Sequence, residues 1–295
     1  MIFKQALVNV GKLLVGGFAF SVGIIVGGIV ASLLRLQPPS LPQGADSATV
    51  ILYSLLESPL LALALALLAR GLGGSFLTRA FALSFLTWIA YTVNTQLEAA
   101  IFATFATGFW FTVVAFAVPA LFCGVVVAFL FPSDARAKNL KAAVREFLSH
   151  RTSAEWVWRF AIAAVAFVPI YWIFGIMVVP FTGSYYQQNL YGLTMPTVDR
   201  LLATLFGRSI LFLLACLPVA VMWQKSERSL FLRLGFALFV LVGFLWMLAG
   251  YWLPTFVRIP HSLEILADSF VYAAVLVLLL VKSGAPVRQA QSAVG

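Results

Sequence analysis

Three ionisable residues with helical spacing lie near the C-terminal end of the chain: His261, Glu264 and Asp268. Their i, i+3, i+7 spacing places them on one face of a helix. An imidazole and two carboxylates on one face can bind a divalent zinc, manganese or iron ion, which would activate water for hydrolysis. The same groups can exchange protons with a substrate without a metal. This stripe is therefore the first candidate for catalysis and for metal binding.

Other polar residues interrupt apolar segments elsewhere in the chain. Asn94 and Glu98 are spaced i, i+4 and so share a helical face. Glu57 and Arg208 each lie roughly 10 Å inside a different apolar segment, counted at 1.5 Å per residue. Ionisable groups inside a membrane are costly and usually functional, so these four residues join the candidate site.

The segments that must position these residues are helices in a membrane. Hydrophobic residues make up 62% of the 295 positions and charged residues 10%, with a mean hydropathy of +1.02. A soluble domain needs more charge to cover its surface. The apolar runs are about 20 residues long without alternation, which favours helices over barrel strands. The sequence therefore predicts an all-α, polytopic integral membrane helix bundle.

The hydropathy pattern predicts eight spans in one membrane domain, over about 7–34, 49–69, 80–100, 108–131, 156–181, 201–223, 230–253 and 261–281. A linker over 133–155 divides the chain into two four-span halves. In it Leu140, Val144, Phe147 and Leu148 share a face, which predicts a basic amphipathic helix in the headgroup layer or, less favoured, one that binds a partner. No convincing register relates the sequences of the two halves, so no inverted repeat is indicated.

The basic residues predict the orientation of the bundle. With both termini in the cytoplasm, 15 of the 19 Lys and Arg fall on the inner side, as the positive-inside rule requires. These are Lys4, Lys12, Arg70, Arg79, Arg136, Lys138, Lys141, Arg145, Arg151, Arg159, Lys225, Arg228, Arg233, Lys282 and Arg288. The exceptions are Arg35, Arg200, Arg208 and Arg258. A bacterial-type plasma membrane is the expected location.

This orientation gathers the intramembrane polar residues in the outer half of the membrane and predicts a polar cavity open to the outside. We expect catalytic roles for Glu98, His261, Glu264 and Asp268. We expect substrate binding by Glu57, Asn94, Arg208, Arg258, Tyr185 and Tyr186. The two tyrosines come from a predicted rim loop over 182–200, and Arg258 from a predicted turn before the last span. Any one of these residues could instead serve only a structural ion pair or an interhelical hydrogen bond.

Three functions are compatible with such a cavity. The stripe and the absence of a visible repeat slightly favour a membrane-embedded, possibly metal-assisted hydrolase or transferase acting at the outer leaflet. The alternative is a proton- or ion-coupled transporter of a small molecule or lipid. The third is a scaffold subunit without catalysis. The site could also recognise an anionic lipid headgroup, through Arg200, Arg208 and Arg258.

The expected partners follow from the same composition. Membrane lipids surround the bundle, and no nucleic-acid-binding pattern accompanies the net charge of +9. Gly23 and Gly27 in the glycine-rich first span form a GxxxG pair, which permits close helix approach and predicts a homo- or hetero-oligomer contact there.

Overall fold

The computed structural model describes residues 2–42, 44–104, 106–133 and 140–281. Its described part is helical and contains eight helices long and apolar enough to cross a membrane, which confirms the predicted class. These spans cover Phe3–Leu33, Ser47–Ala69, Phe76–Phe102, Phe109–Leu130, Ser153–Gln187, Val198–Met222, Glu227–Ala249 and Thr255–Val281. Arg136, Lys138, Lys282 and Arg288, which contribute to the predicted charge asymmetry, lie outside the described residues.

Spans 5 and 8 extend furthest beyond their expected ends, and both extensions affect the candidate site. Span 5 continues to Gln187, so Tyr185 and Tyr186 lie on its last helical turns instead of in a loop. Span 8 begins at Thr255 after the N-cap residue Pro254, so Arg258 lies in the first turns of that helix. The last turns of span 5 contain polar residues that still form helix, whereas span 8 includes Pro260, which the sequence suggested to be part of a turn.

Span 5 consists of two helical segments that adjoin at Ala166. Pro169 follows three residues later and has no N–H to donate to the preceding turn. The N–H of Phe167 instead donates to the hydroxyl of Ser209 in span 6 at 3.2 Å. The break therefore couples spans 5 and 6 at the depth of the neighbouring Arg208.

The two halves of the chain contain the same arrangement of spans, which the sequence did not reveal. Span 3 begins after the N-cap Ser75 and span 7 after the N-cap Ser226, which lie 151 positions apart. The same separation relates Ser47 and Val198, where spans 2 and 6 begin. Spans 1 and 4 pack together in the first half, as spans 5 and 8 do in the second. The repeat is parallel, because an even number of spans returns the chain to its starting side.

The equivalent loops before spans 3 and 7 meet at one end of the bundle. The N–H of Gly73 donates to the carbonyl of Met222 at 2.7 Å, and the N–H of Gln224 donates to that of Gly71 at 3.0 Å. These reciprocal bonds form an antiparallel bridge between Leu72 and Trp223. We call this end, where spans 2 and 6 finish, the basic end, and the opposite one the cavity end.

Arginines at the basic end bind the last carbonyls of spans. Arg79 donates to the Phe131 carbonyl after span 4 at 3.3 Å. Arg233 donates to the Leu67 carbonyl of span 2 at 2.8 Å. The final carbonyls of a helix lack intrahelical partners and carry partial negative charge, so cations stabilise them. These basic side chains thus complete the helix ends as well as contributing to the predicted orientation.

The glycines of span 1 pack inside the chain. An added Cβ on Gly27 would lie 1.9 Å from the Ala115 carbonyl oxygen, and one on Gly23 would lie 2.3 Å from the Pro119 Cα, both in span 4. Gly28, in contrast, has no atom within 4 Å of such a Cβ. The GxxxG pair therefore serves the contact between spans 1 and 4 of the same chain.

The linker contains the helix Leu140–Ser149. Of the seven linker residues that precede this helix, the structure describes only residue 133. Ala143 is buried, and the Phe147 ring stacks on Trp156 at 4.7 Å. Leu140, Val144 and Leu148 remain exposed. Thr152 and Glu155 form the predicted capping box at the start of span 5. The helix thus packs Ala143 and Phe147 on the bundle and leaves Leu140, Val144 and Leu148 exposed.

Candidate functional site

A cavity of about 400 Å³ lies between the two halves and reaches the cavity end. Residues of spans 2–8 line it, together with residues 39–42 and with Ala103, Ala106 and Thr107 of the loops at that end. Five of the predicted polar residues line its wall: Glu98, Arg208, His261, Glu264 and Asp268. The predicted rim residue Tyr186 lines it as well. The structure therefore brings most of the predicted site to one place.

Two π-helical turns lie at corresponding places in the repeat, and the one in span 7 contributes Val242 and Gly243 to the cavity wall. Residues Trp88–Val93 form one in span 3 and residues Val240–Phe244 the other in span 7. Beside them the rings of Tyr91 and Trp246 stack at 5.1 Å. The Trp246 indole N–H donates to the Tyr91 carbonyl at 3.1 Å. Such turns displace the normal helical bonding and often mark functional positions.

Arg208 is the most enclosed charge in the cavity wall, with 1% of the residue exposed. Its Nη1 forms an ion pair with Oε1 of Glu98 at 2.8 Å. Its Nε donates to Oδ1 of Asn94 at 2.6 Å, and Nδ2 of Asn94 donates back to the Arg208 carbonyl at 3.1 Å. Asn94 does not line the cavity but fixes the arginine from behind. Asn94 and Glu98, the expected i, i+4 pair of span 3, therefore both bind the guanidinium of Arg208 in span 6.

Aromatic rings complete the surroundings of this arginine. The guanidinium carbon lies 5.3 Å from the ring centre of Phe167, 5.6 Å from that of Tyr171 and 5.8 Å from that of Phe212. Rings at these distances attract a cation through their quadrupole, and more strongly away from water. With its charge already paired with Glu98 inside the protein, Arg208 is a poor candidate for binding an anionic headgroup.

His261 connects two other predicted residues. Its Nδ1 lies 2.7 Å from Oε2 of Glu264, and its Nε2 lies 3.0 Å from the hydroxyl of Tyr186. A carboxylate beside Nδ1 places a proton on that nitrogen, so Nε2 of the neutral ring accepts the tyrosine proton. Tyr186, His261 and Glu264 thus form a continuous hydrogen-bonded chain from span 5 to span 8.

Asp268 has no comparable partner. The residue is 5% exposed, and its Oδ1 is buried without a hydrogen bond among the described residues. It interacts electrostatically with Glu264, Arg208 and Glu98. A buried carboxylate oxygen without a donor is costly. Asp268 therefore needs a proton, or a donor or cation brought by a ligand.

The balance of charge in the cavity wall is acidic. Glu98, Glu264 and Asp268 contribute three carboxylates against the guanidinium of Arg208 and the imidazole of His261. Because Arg208 already neutralises Glu98, the remaining carboxylates face a single titratable ring. The arrangement is electrostatically suited to a positively charged or donor-rich ligand.

Glu57 is not brought into this cavity, and the repeat explains its position. It lies in span 2 at the place that corresponds to Arg208 in span 6, again 151 positions apart. The positions that correspond to Asn94 and Glu98 are Leu245 and Ala249, in the part of span 7 that packs on span 2. Neither offers a polar side chain, and Glu57 Oε1 is buried without a hydrogen-bond partner in the described structure.

The remaining expectations concern the rim and the metal. Tyr185 packs in a small cluster with Leu193 and Val257, and neither it nor Arg258 lines the cavity. Both ring nitrogens of His261 already have protein partners. Within the described ranges, no group of three or more His, Cys, Asp and Glu is arranged to hold a metal ion. The metal expectation therefore gains no support from the geometry.

Sequence reasoning missed the aromatic wall of the cavity, which includes Phe116, Phe167, Tyr171, Phe212, Trp246 and Tyr272. The chain contains 27 Phe, 8 Tyr and 8 Trp, so an individual ring gives no signal of its location. Knowledge of the repeat would have predicted an interface between the two halves, and with it the rings that line this interface. Comparison with known proteins found no match to this chain among family models, curated proteins or solved structures.

Proposed function

We propose that this protein is a secondary transporter that exchanges protons for a small organic cation, with the cavity between the two halves as its substrate site. Transporters built from parallel repeats bind substrate where the repeats meet. The carrying observation is Asp268, a buried carboxylate with an unpartnered oxygen at this interface. The charge asymmetry of the loops supports placing the open end of the cavity on the outside of the membrane.

The proposed exchange uses groups already in the wall. A cation that enters the cavity binds the carboxylate of Asp268, whose proton leaves to the solvent. The aromatic rings around Arg208 and Trp246 provide faces that attract a cation. When the cation leaves on the other side, a proton returns to Asp268. The Arg208–Glu98 ion pair stays neutral throughout the exchange. Asp268 is therefore the carboxylate that releases and regains the proton.

The test uses purified protein in liposomes with an acidic interior and a pH-sensitive dye inside. A panel of small quaternary ammonium ions, which have no neutral form that could cross the bilayer unaided, is added outside, and a substrate is expected to raise the interior pH in wild type. Asp268→Asn should abolish this proton flux, whereas Asp268→Glu should retain part of it. Asp199→Asn, an exposed acid at the start of span 6, is the matched control. Unchanged flux in Asp268→Asn would refute the assignment.

A second function, acid–base catalysis, is favoured by one observation. The chain of Tyr186, His261 and Glu264 has an imidazole between a hydroxyl and a carboxylate. In this arrangement the imidazole can take a proton while the carboxylate holds its orientation. Incubation with membrane lipids and mass spectrometry of the products would test it. Catalysis predicts a product that His261→Gln no longer forms, whereas transport predicts none.

A further inference from the structure

A second, apolar groove of about 620 Å³ lies on the outside of the bundle between spans 5 and 8. Phe174, Met177 and Phe181 of span 5 form one wall. Phe256, Ile259, Leu263 and Ala267 of span 8 contribute to the other. Met177, Phe181, Phe256, Ile259 and Leu263 are largely exposed, so this groove faces the hydrocarbon of the membrane.

The groove and the central cavity share one residue, Glu264, which lines both. Its Oε2 is bonded to His261 on the cavity side. Its Oε1 lies 3.3 Å from where a Cβ of Gly175 in span 5 would stand. A larger residue at position 175 would press on this carboxylate. The absence of a side chain there leaves room for the carboxylate between spans 5 and 8.

A carboxylate at the floor of a lipid-facing groove needs an explanation, since a charge beside hydrocarbon is costly. Other inward-facing polar groups, such as Arg208, are surrounded by protein. Glu264 is separated from the lipid only by the groove. The charge and the apolar walls together fit a molecule with a cationic head and an alkyl chain, with the head at Glu264 and the chain along the groove.

We propose that the groove between spans 5 and 8 is a lateral portal through which cationic amphiphiles pass from the membrane into the central cavity at Glu264. This inference rests on the proposed transport function and names its substrate class, an alkyl chain with a positively charged head. Entry from the membrane also explains why an apolar groove meets the acidic cavity at a single carboxylate.

The test compares two permanently charged substrates that differ in their chain: dodecyltrimethylammonium and tetramethylammonium. Each is offered in labelled form to phosphatidylcholine liposomes that contain the protein and an acidic interior. Ala267→Phe fills the groove without touching the central cavity, because Ala267 lines only the groove. Leu263→Trp is a second blocking variant. Ala161→Phe, at an exposed position of span 5, adds the same ring elsewhere on the lipid face as a control.

Both blocking variants should lose uptake of dodecyltrimethylammonium and retain uptake of tetramethylammonium, whereas Ala161→Phe should retain both. Equal uptake of the long-chain cation by wild type and both blocking variants would overturn the portal and leave transport intact. A blocking variant that loses both cations but elutes as folded protein would also overturn it. If wild type takes up neither cation, the proposed transport of organic cations fails and the portal fails with it.

Discussion

Arg208 of span 6 and Glu98 of span 3 form an ion pair of 2.8 Å that joins the two halves of the bundle beside the cavity. The partners differ in their surroundings, since 2% of the arginine side chain and 30% of the glutamate side chain are exposed. Glu98 can therefore find other donors in the cavity if Arg208 is lost, whereas Arg208 cannot reach another carboxylate without moving.

This asymmetry predicts unequal effects of removing either partner. Glu98→Leu leaves a buried guanidinium without its counter-ion and should destabilise the protein by about 3–5 kcal/mol. Arg208→Leu should cost less, because Glu98 stays accessible from the cavity. The double variant should be more stable than Glu98→Leu alone. Thermal unfolding in detergent measures all three, and equal losses in the two single variants would contradict the stated surroundings.

Removal of Glu57 should raise the stability of the protein, whereas removal of Glu98 or Arg208 should lower it. Its Oε1 is buried without a partner, and the corresponding neighbours in span 7 are apolar. Glu57→Leu removes an unsatisfied polar group and should stabilise the protein by about 1–3 kcal/mol. The measurement is the unfolding temperature in detergent beside wild type and Glu57→Gln, which keeps the shape and a polar end. A lower unfolding temperature for Glu57→Leu would show that Glu57 has a partner the structure does not contain.

The neighbouring glycines Gly27 and Gly28 provide a matched pair for the contact of spans 1 and 4. Gly27→Ala places a methyl group against the Ala115 backbone and should cost more than the roughly 1–3 kcal/mol of ordinary overpacking. Gly28→Ala meets open space and should leave stability unchanged or raise it by about 0.5–1 kcal/mol through helix propensity. Unfolding temperatures decide, and similar values for the two variants would contradict the packing of span 1.

The start of span 2 should respond to acid. The N–H of Thr49 donates to Asp46 at 2.8 Å, and this bond, with that from Tyr251, holds the pKa of Asp46 below its usual range. A lowered pKa in the folded state stabilises the protein above the ordinary value of about 4 and less as pH falls through the folded-state value. Unfolding temperatures from pH 7 to pH 3 should fall less in Asp46→Asn, which keeps a capping side chain without titrating.

The sequence predicted the membrane class and the charged residues of the cavity wall because both follow from hydrophobicity. An ionisable residue in an apolar run must face the interior, so Glu98, Arg208, Glu264 and Asp268 were found from position alone. Glu57 satisfied the same rule yet lies outside the cavity, because hydropathy gives the depth of a residue and not its direction around the bundle. The span end at Gln187 was missed because polar terminal turns give no apolar signal, and the start at Thr255 because Pro260, typical of a turn, lies within the helix.

The repeat was missed for a related reason. Lipid-facing positions accept any apolar residue, so two helices can keep their length and packing while their residues diverge. Ser75 and Ser226 remained alike because each caps a helix through its own hydroxyl, a role few residues can fill. Matching capping positions, rather than matching apolar runs, would have revealed the two halves.

The equivalence of Glu57 and Arg208 also bears on how such a molecule can arise. A four-span protein of half this length, paired with itself about the same axis, would have two identical half-sites, each with the same residue at this position. Once the halves are fused in one gene, each copy can change alone. Here one half-site has Arg208 with Asn94 and Glu98, while the other has Glu57 beside apolar positions. Two halves in one chain can thus hold a polar site at one position of the repeat and not at the other, which two identical copies cannot.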